Sequence, residues 1–188
     1  MSEFHIVRLH DTPAQPWRNG GGVTHELLAW PTPAPWQLRV SVAHIDRSGP
    51  FSPFPGVTRW FTVLDGDGVR LDLPQRSLSL LAGDDPIAFD GEAAPDCHLL
   101  GGPTLDLNLM APRDAGSLHM QRALAGSSVA GPTRWRGLYA AATVLLEIEG
   151  IAEPVQGGTL LWSDSGDAAD WQLHHASSGL AYWMTLET

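Results

Sequence analysis

Apolar residues along this chain recur in short alternating or continuous runs, not at helical spacing. In WQLRVSVAHI, residues 36–45, Leu38, Val40 and Val42 fall on one face of a strand and Arg39, Ser41 and Ala43 on the other. RWFTVLDGDGVRLDL, residues 59–73, reads as a strand, a tight Asp-Gly turn and a returning strand, a strong hairpin signal. SLSLLAG, PIAF, LDLNLM, TVLLEIEG, GGTLLWS and LAYWMTL supply further strands, and AGSLHMQRAL is the stretch that suits a short helix. The 20 glycines and 15 prolines punctuate these runs. Many short strands with turns between them predict an all-β sandwich or barrel.

The strand pattern repeats. FTVLDGDG followed by SLSLLAGD matches VLLEIEG followed by GGTLLWSDSG, with Gly66 set against Gly150 and Leu80 against Leu161. LDLNLM in the first half answers LAYWMTL in the second. The chain therefore divides into two similar β units, residues 1–112 and a smaller unit 113–188, with the boundary near Pro112 to Gly116.

Composition narrows the chemistry. At 188 residues the chain is long enough to bury a core without crosslinks. Its single cysteine, Cys97, excludes an intrachain disulfide and a cysteine-built zinc site, and suits a reducing cytoplasm. The opening MSEFHIVRLHD lacks the pattern of a signal peptide, and Leu138 to Leu146, the longest nearly apolar stretch, is too short to span a bilayer. The net charge is -10, and all 11 basic residues are arginines. Without a cationic cluster, nucleic acid is excluded as a partner and acidic membrane is disfavoured. The absence of lysine removes Schiff-base chemistry.

Familiar catalytic patterns are missing. Histidines stand at 5, 10, 25, 44, 98, 119, 174 and 175, and no pair has the two-, three- or four-residue spacing of a local chelate, so no metal is expected. Ser-Ser-Gly at 177–179 is turn chemistry and not a nucleophile elbow. Cys97, among small residues, reads as packed. In PWRNGGGVTHEL, residues 16–27, the triple glycine is neither a Walker loop nor a dinucleotide fingerprint. Asn19-Gly20 predicts a type I′ turn there, so the stretch reads as a hairpin.

VLDGDG at residues 63–68 resembles the end of the first motif of cupin barrels, where a Glu precedes the glycine by seven residues and two His lie further back. Counting back from Gly66 places Arg59 at the carboxylate's position, and Ser52/Phe54 or Pro53/Pro55 where the imidazoles belong. A fixed guanidinium there suits a carboxylate, formate-like or phosphate group, and is a poor general base. Together, PWRNGGGVTHEL, LRVSVAHI, GPFSPFPGVTRWFTVLDGDG, FDGE and LDLNLMAPR resemble the HutD/Ves family from about residue 7 to about 113. The resemblance implies a two-unit cupin assembly without the usual metal ligands, a compact bicupin. It also implies a role in binding a pathway metabolite, in histidine degradation or in a stress response.

Alternation then gathers a candidate site. Thr24 and Glu26 share a face, as do Arg39 and Ser41, and Asp106 and Asn108, while Arg59 begins a further strand. With Asn19 from the glycine loop, these are the expected ligand-binding residues. Glu26 or Asp106 is placed to neutralise Arg39, leaving Arg59 for a ligand. Trp17, Trp60, Phe51 and Phe54 are candidate apolar walls. His25 is expected to be exposed, and His44 to sit at a strand end. The expected function is recognition of a small carboxylate, urocanate-like or formylated, without a cofactor; a homodimer is left open. The alternative is a metal-independent isomerase or lyase with Glu26 as general acid/base.

Overall fold

The computed structural model describes residues 3–166, 169–176 and 180–188. The Ser-Ser-Gly stretch at 177–179 lies outside them. The first strands are β1 (His5–Arg8), β2 (Ala14–Pro16), β3 (Gly22–Trp30), β4 (Leu38–Ile45), β5 (Gly49–Pro50) and β6 (Val57–Asp65). There follow β7 (Val69–Leu73), β8 (Arg76–Leu80), β9 (Ile87–Asp90), β10 (Asp96–Leu99), β11 (Thr104–Pro112) and β12 (Ser117–Arg122). The last are β13 (Ser128–Val129), β14 (Trp135–Ala140), β15 (Val144–Ile148), β16 (Ile151–Val155), β17 (Thr159–Ser163), β18 (Trp171–Ala176) and β19 (Ala181–Glu187). Helical structure among the described residues is confined to short 3₁₀ turns.

Two units emerge: Thr12–Asp114, and Met1–Asp11 with Ala115–Thr188. Strand β1 pairs antiparallel with β17, so the opening of the chain belongs to the second unit and not to the first, as a boundary drawn from sequence alone has it. His5–Arg8 carries no feature that names a partner 150 residues away. In the first unit a six-stranded sheet, β2-β3-β4-β11-β6-β9, is matched by a four-stranded one, β5-β10-β7-β8. Ala43, Ile45, Phe61 and Val63 of the larger sheet cluster with Val69, Leu71, Leu80 and Cys97 of the smaller. Each such side chain contributes about 1.5–3 kcal/mol by leaving water, when it is the size of a valine or larger. The second unit repeats the plan with β1-β17-β14-β19-β12 and β13-β18-β15-β16, around Leu138, Leu146, Leu161, Trp171, Leu173 and Trp183.

The repeat is real, but its register differs from the sequence match. β15, β16 and β18 begin 75 residues after β7, β8 and β10 and occupy the same places in their sheet. Setting Gly66 against Gly150, or Leu80 against Leu161, slips the comparison by one strand; β11 and β19 do correspond. The expected hairpin at Asp65–Gly68 is also corrected. β6 pairs with β11 and β9, whereas β7 pairs with β10 and β8, so the turn carries the chain from one sheet to the other. An Asp-Gly pair signals a reversal but does not name the partner strand. Gly66 has φ +97°, and a Cβ there would overlap the Pro103 carbonyl. AGSLHMQRAL is strand β12, with Leu118 and Met120 buried on one face and His119 and Gln121 exposed on the other.

Candidate anion-binding site

The glycine loop forms a hairpin, though not the expected type I′ one. Gly20 N–H donates to the Trp17 carbonyl at 3.0 Å and Trp17 N–H to the Gly22 carbonyl at 2.9 Å, placing Arg18 and Asn19 at the centre of the turn. Gly20 is left-handed (φ +66°) and Asn19 is not, whereas type I′ needs both central residues at positive φ. The Asn19 side chain accepts from Gly21 N–H at 2.9 Å. A Cβ on Gly22 would collide with the His44 carbonyl, so this glycine lets β3 approach β4.

Register then assembles the site. Across β3-β4-β11-β6, Glu26 lies opposite Ser41, Ser41 opposite Asn108 and Asn108 opposite Phe61. One pair further along, Arg39 is opposite Met110 and Met110 opposite Arg59. Alternation therefore points Thr24, Arg39, Ser41, Arg59, Asp106 and Asn108 from one face of the sheet. Beside them opens a cavity of about 620 Å³, within the range of small-molecule sites. Arg59, Arg39, Ser41, Thr24, Asn19 and Asn108 line it; Glu26 and Asp106 do not.

Arg59 is 7% exposed. Its Nε and Nη2 both donate to the Asn108 Oδ1, at 3.0 and 2.6 Å, and its guanidinium lies 4.3 Å from the Phe51 ring centre and 5.6 Å from that of Phe89. The aromatic faces and the amide oxygen offset part of the cost of burying a cation. No carboxylate pairs with Arg59, and its Nη1 has no protein partner, among the described residues. Burial, and then repulsion from Arg39, lowers its pKa to about 9. The proton is thus held less firmly than an ordinary arginine's, yet Arg59 remains a cation at neutral pH.

The two acids play different parts. Glu26 Oε2 accepts from Arg39 Nε at 2.5 Å, which neutralises that cation. Asp106 is fully buried; its Oδ2 accepts from the Thr104 hydroxyl at 2.8 Å, and its Oδ1 has no partner among the described residues. Burial raises its pKa to about 7 against the smaller opposing effects of Thr104 and Arg59. Burial also pushes the Cys97 thiol up to about 12, so this residue is a packed thiol and not a nucleophile. Among the described residues, no three His, Cys, Asp or Glu side chains gather where they could share a metal ion.

Trp17, Phe51 and Phe54 line the cavity, and Trp17 Nε1 donates to Thr24 Oγ1 at 2.8 Å. Trp60 does not: it follows Arg59 on the strand and so faces the other side of the sheet. His25 is half-buried, its Nδ1 2.8 Å from the carbonyl of Thr12, because pairing of β2 with β3 brings the chain just before β2 beside it. His44 does sit near a strand end, 3.2 Å from Asp46. Sequence reasoning missed Arg18 and Gln15, which line the cavity, and Phe89, which stacks on Arg59. Arg18 stood inside the quoted glycine motif, but nothing in its spacing marks it.

The second unit shows the contrast. Arg136 is the second residue of β14, an interior strand of its sheet as β6 is, and precedes core-facing Leu138 and Ala140 as Arg59 precedes Phe61 and Val63. Its guanidinium donates to the main-chain carbonyls of Gly131, at 2.8 Å, and Ala169. One buried arginine is tied to backbone; the other faces a cavity.

The family model described as HutD matches residues 9–181. An uncharacterized 21.2 kDa protein in the hutC 3′ region of Pseudomonas putida is 41% identical over 120 residues, covering 58% of this chain and 59% of that one. Protein Ves of Citrobacter koseri is 38% identical over 117 residues, covering 61% and 59%. The matches thus span about three fifths of the length of these curated relatives. A solved structure described as HutD from Pseudomonas fluorescens SBW25 (formate condition) superposes with a TM-score of 0.86 at 25% identity, covering 98% of each chain.

Proposed function

This chain belongs to the HutD family, and on that footing we propose that its cavity binds a small carboxylate metabolite through Arg59. The observation that carries the reading is a buried guanidinium whose Nη1 has no protein partner, at a cavity with no acidic residue in its lining, among the described residues. Asn108 fixes the plane of the fork, and Phe51 and Phe89 fix its tilt, so the donors are oriented before any ligand arrives. The formate condition named for the Pseudomonas fluorescens structure is of the same ligand chemistry. We take the metabolite to be one of the acids of histidine breakdown, urocanate-like or formylated, with binding moderating that pathway; the hutC 3′ region named for the Pseudomonas putida relative supports it.

Geometry favours binding over turnover. Glu26, the general acid/base candidate, is held by Arg39 and lies outside the lining. Titration calorimetry and thermal melting with formate, propionate and urocanate test the proposal. A carboxylate should raise the melting temperature of the wild type, and Arg59→Ala should abolish the rise while the far-ultraviolet circular dichroism stays unchanged. A variant that responds as the wild type does removes Arg59 as the anchor. Product formed from these acids at high protein concentration would replace the binding reading with the enzymatic one.

A further inference from the structure

Charge in the cavity does not end at Arg59. Among the described residues the lining holds three arginines, Arg18, Arg39 and Arg59, and no Asp or Glu, in a chain whose net charge is -10. Arg39 is neutralised by Glu26. Arg59 has no carboxylate partner, and neither has Arg18, among the described residues. Two cations thus lack an ion-pair partner among the described residues, one buried and one exposed, with the buried Asp106 acting on Arg59 only through space. Arg18 is not on a loose loop: it is central in the turn closed by Gly20 N–H on the Trp17 carbonyl, and Trp17 is pinned to Thr24. A single carboxylate also leaves most of the space unfilled, since a cavity of about 620 Å³ is of the size that takes a whole metabolite.

We propose that the cavity selects a dianion, with one carboxylate on Arg59 and a second anionic group on Arg18 at the exposed end of the lining. The inference rests on the carboxylate reading of Arg59 and adds a second, separate anchor. An exposed guanidinium gains little from an ion pair in water. It gains more when a ligand already fixed at its other end brings the second charge to it, because the second contact is then intramolecular.

Calorimetric titration of glutarate, adipate and suberate against their monomethyl esters tests this. The best-fitting diacid should bind at least about tenfold tighter than its ester, beyond the twofold statistical advantage of two identical ends; tenfold corresponds to about 1.4 kcal/mol, the scale of one hydrogen bond to a charged group. Arg18→Ala should reduce that advantage to the statistical factor. Arg18 is exposed and its side chain forms no hydrogen bond or ion pair among the described residues, so the variant is expected to fold. Arg47→Ala removes an exposed cation outside the lining and should preserve the preference. Equal affinities for diacid and ester, with Arg59 still required, overturn the dianion while sparing the carboxylate reading. Equal losses in Arg18→Ala and Arg47→Ala attribute the preference to diffuse charge and overturn the Arg18 anchor. Failure of the wild type to bind either class overturns both readings.

Discussion

Asp106→Asn isolates the cost of burying a carboxyl group behind the site. The side chain is fully buried, one oxygen accepts from Thr104 and the other has no partner among the described residues. Its pKa stands at about 7 in the folded chain against an ordinary value of 3.8. Between those values the unfolded chain has released a proton that the native state retains, so stability falls as pH rises, by up to about 1.4 kcal/mol per pH unit. The contribution is fully present below about pH 4, is lost progressively up to pH 7, and stays lost above it. Across that whole interval the loss amounts to about 4 kcal/mol. Asparagine keeps the shape and the Thr104 contact without the ionisation. Urea denaturation of both proteins from pH 4 to pH 8 should give similar stabilities at pH 4 and an advantage for the variant that grows to a plateau near pH 7. The histidines and surface acids titrate alike in both and cancel in the difference. A difference that stays flat across this range, or one that grows towards acid pH, would refute the reasoning.

Further outcomes follow from packing around the site. Gly22→Ala should lower stability by about 1–3 kcal/mol in chemical denaturation, because its Cβ would meet the His44 carbonyl and force β3 from β4. Arg136→Met should cost more than Arg59→Met in thermal melts, by about 1–3 kcal/mol, since it leaves two half-buried carbonyls, of Gly131 and Ala169, without their donor, whereas Arg59 leaves only the Asn108 amide oxygen. Thr24→Val deprives Trp17 Nε1 of its acceptor and should cost about 1 kcal/mol, with weaker carboxylate binding as the turn loosens.

Much of the site was legible because strands alternate. Thr24, Arg39, Ser41 and Asn108 share a face by period two, and counting back from Gly66 singled out Arg59; the register of β3-β4-β11-β6 then brings them together. Asp106 is on the same face by the same rule, yet it is buried and outside the cavity lining, because alternation fixes the side of a sheet and not the depth. Partners across sheets were not legible. Asp65–Gly68 has the chemistry of a hairpin and serves as a crossing, and β1 joins a sheet built from residues after 115. Arg18 escaped notice because an exposed turn arginine resembles any other until the cavity beside it is seen. The repeat was found from similar strands, but their similarity allowed a one-strand slip that only pairing removes.

The most direct measurement is a crystal structure of this chain soaked in propionate. The account predicts a carboxylate accepting a hydrogen bond from Arg59 Nη1, with the Asn108 contacts retained. Propionate absent from that guanidinium in a fully soaked crystal, or a metal ion occupying the cavity, would contradict it.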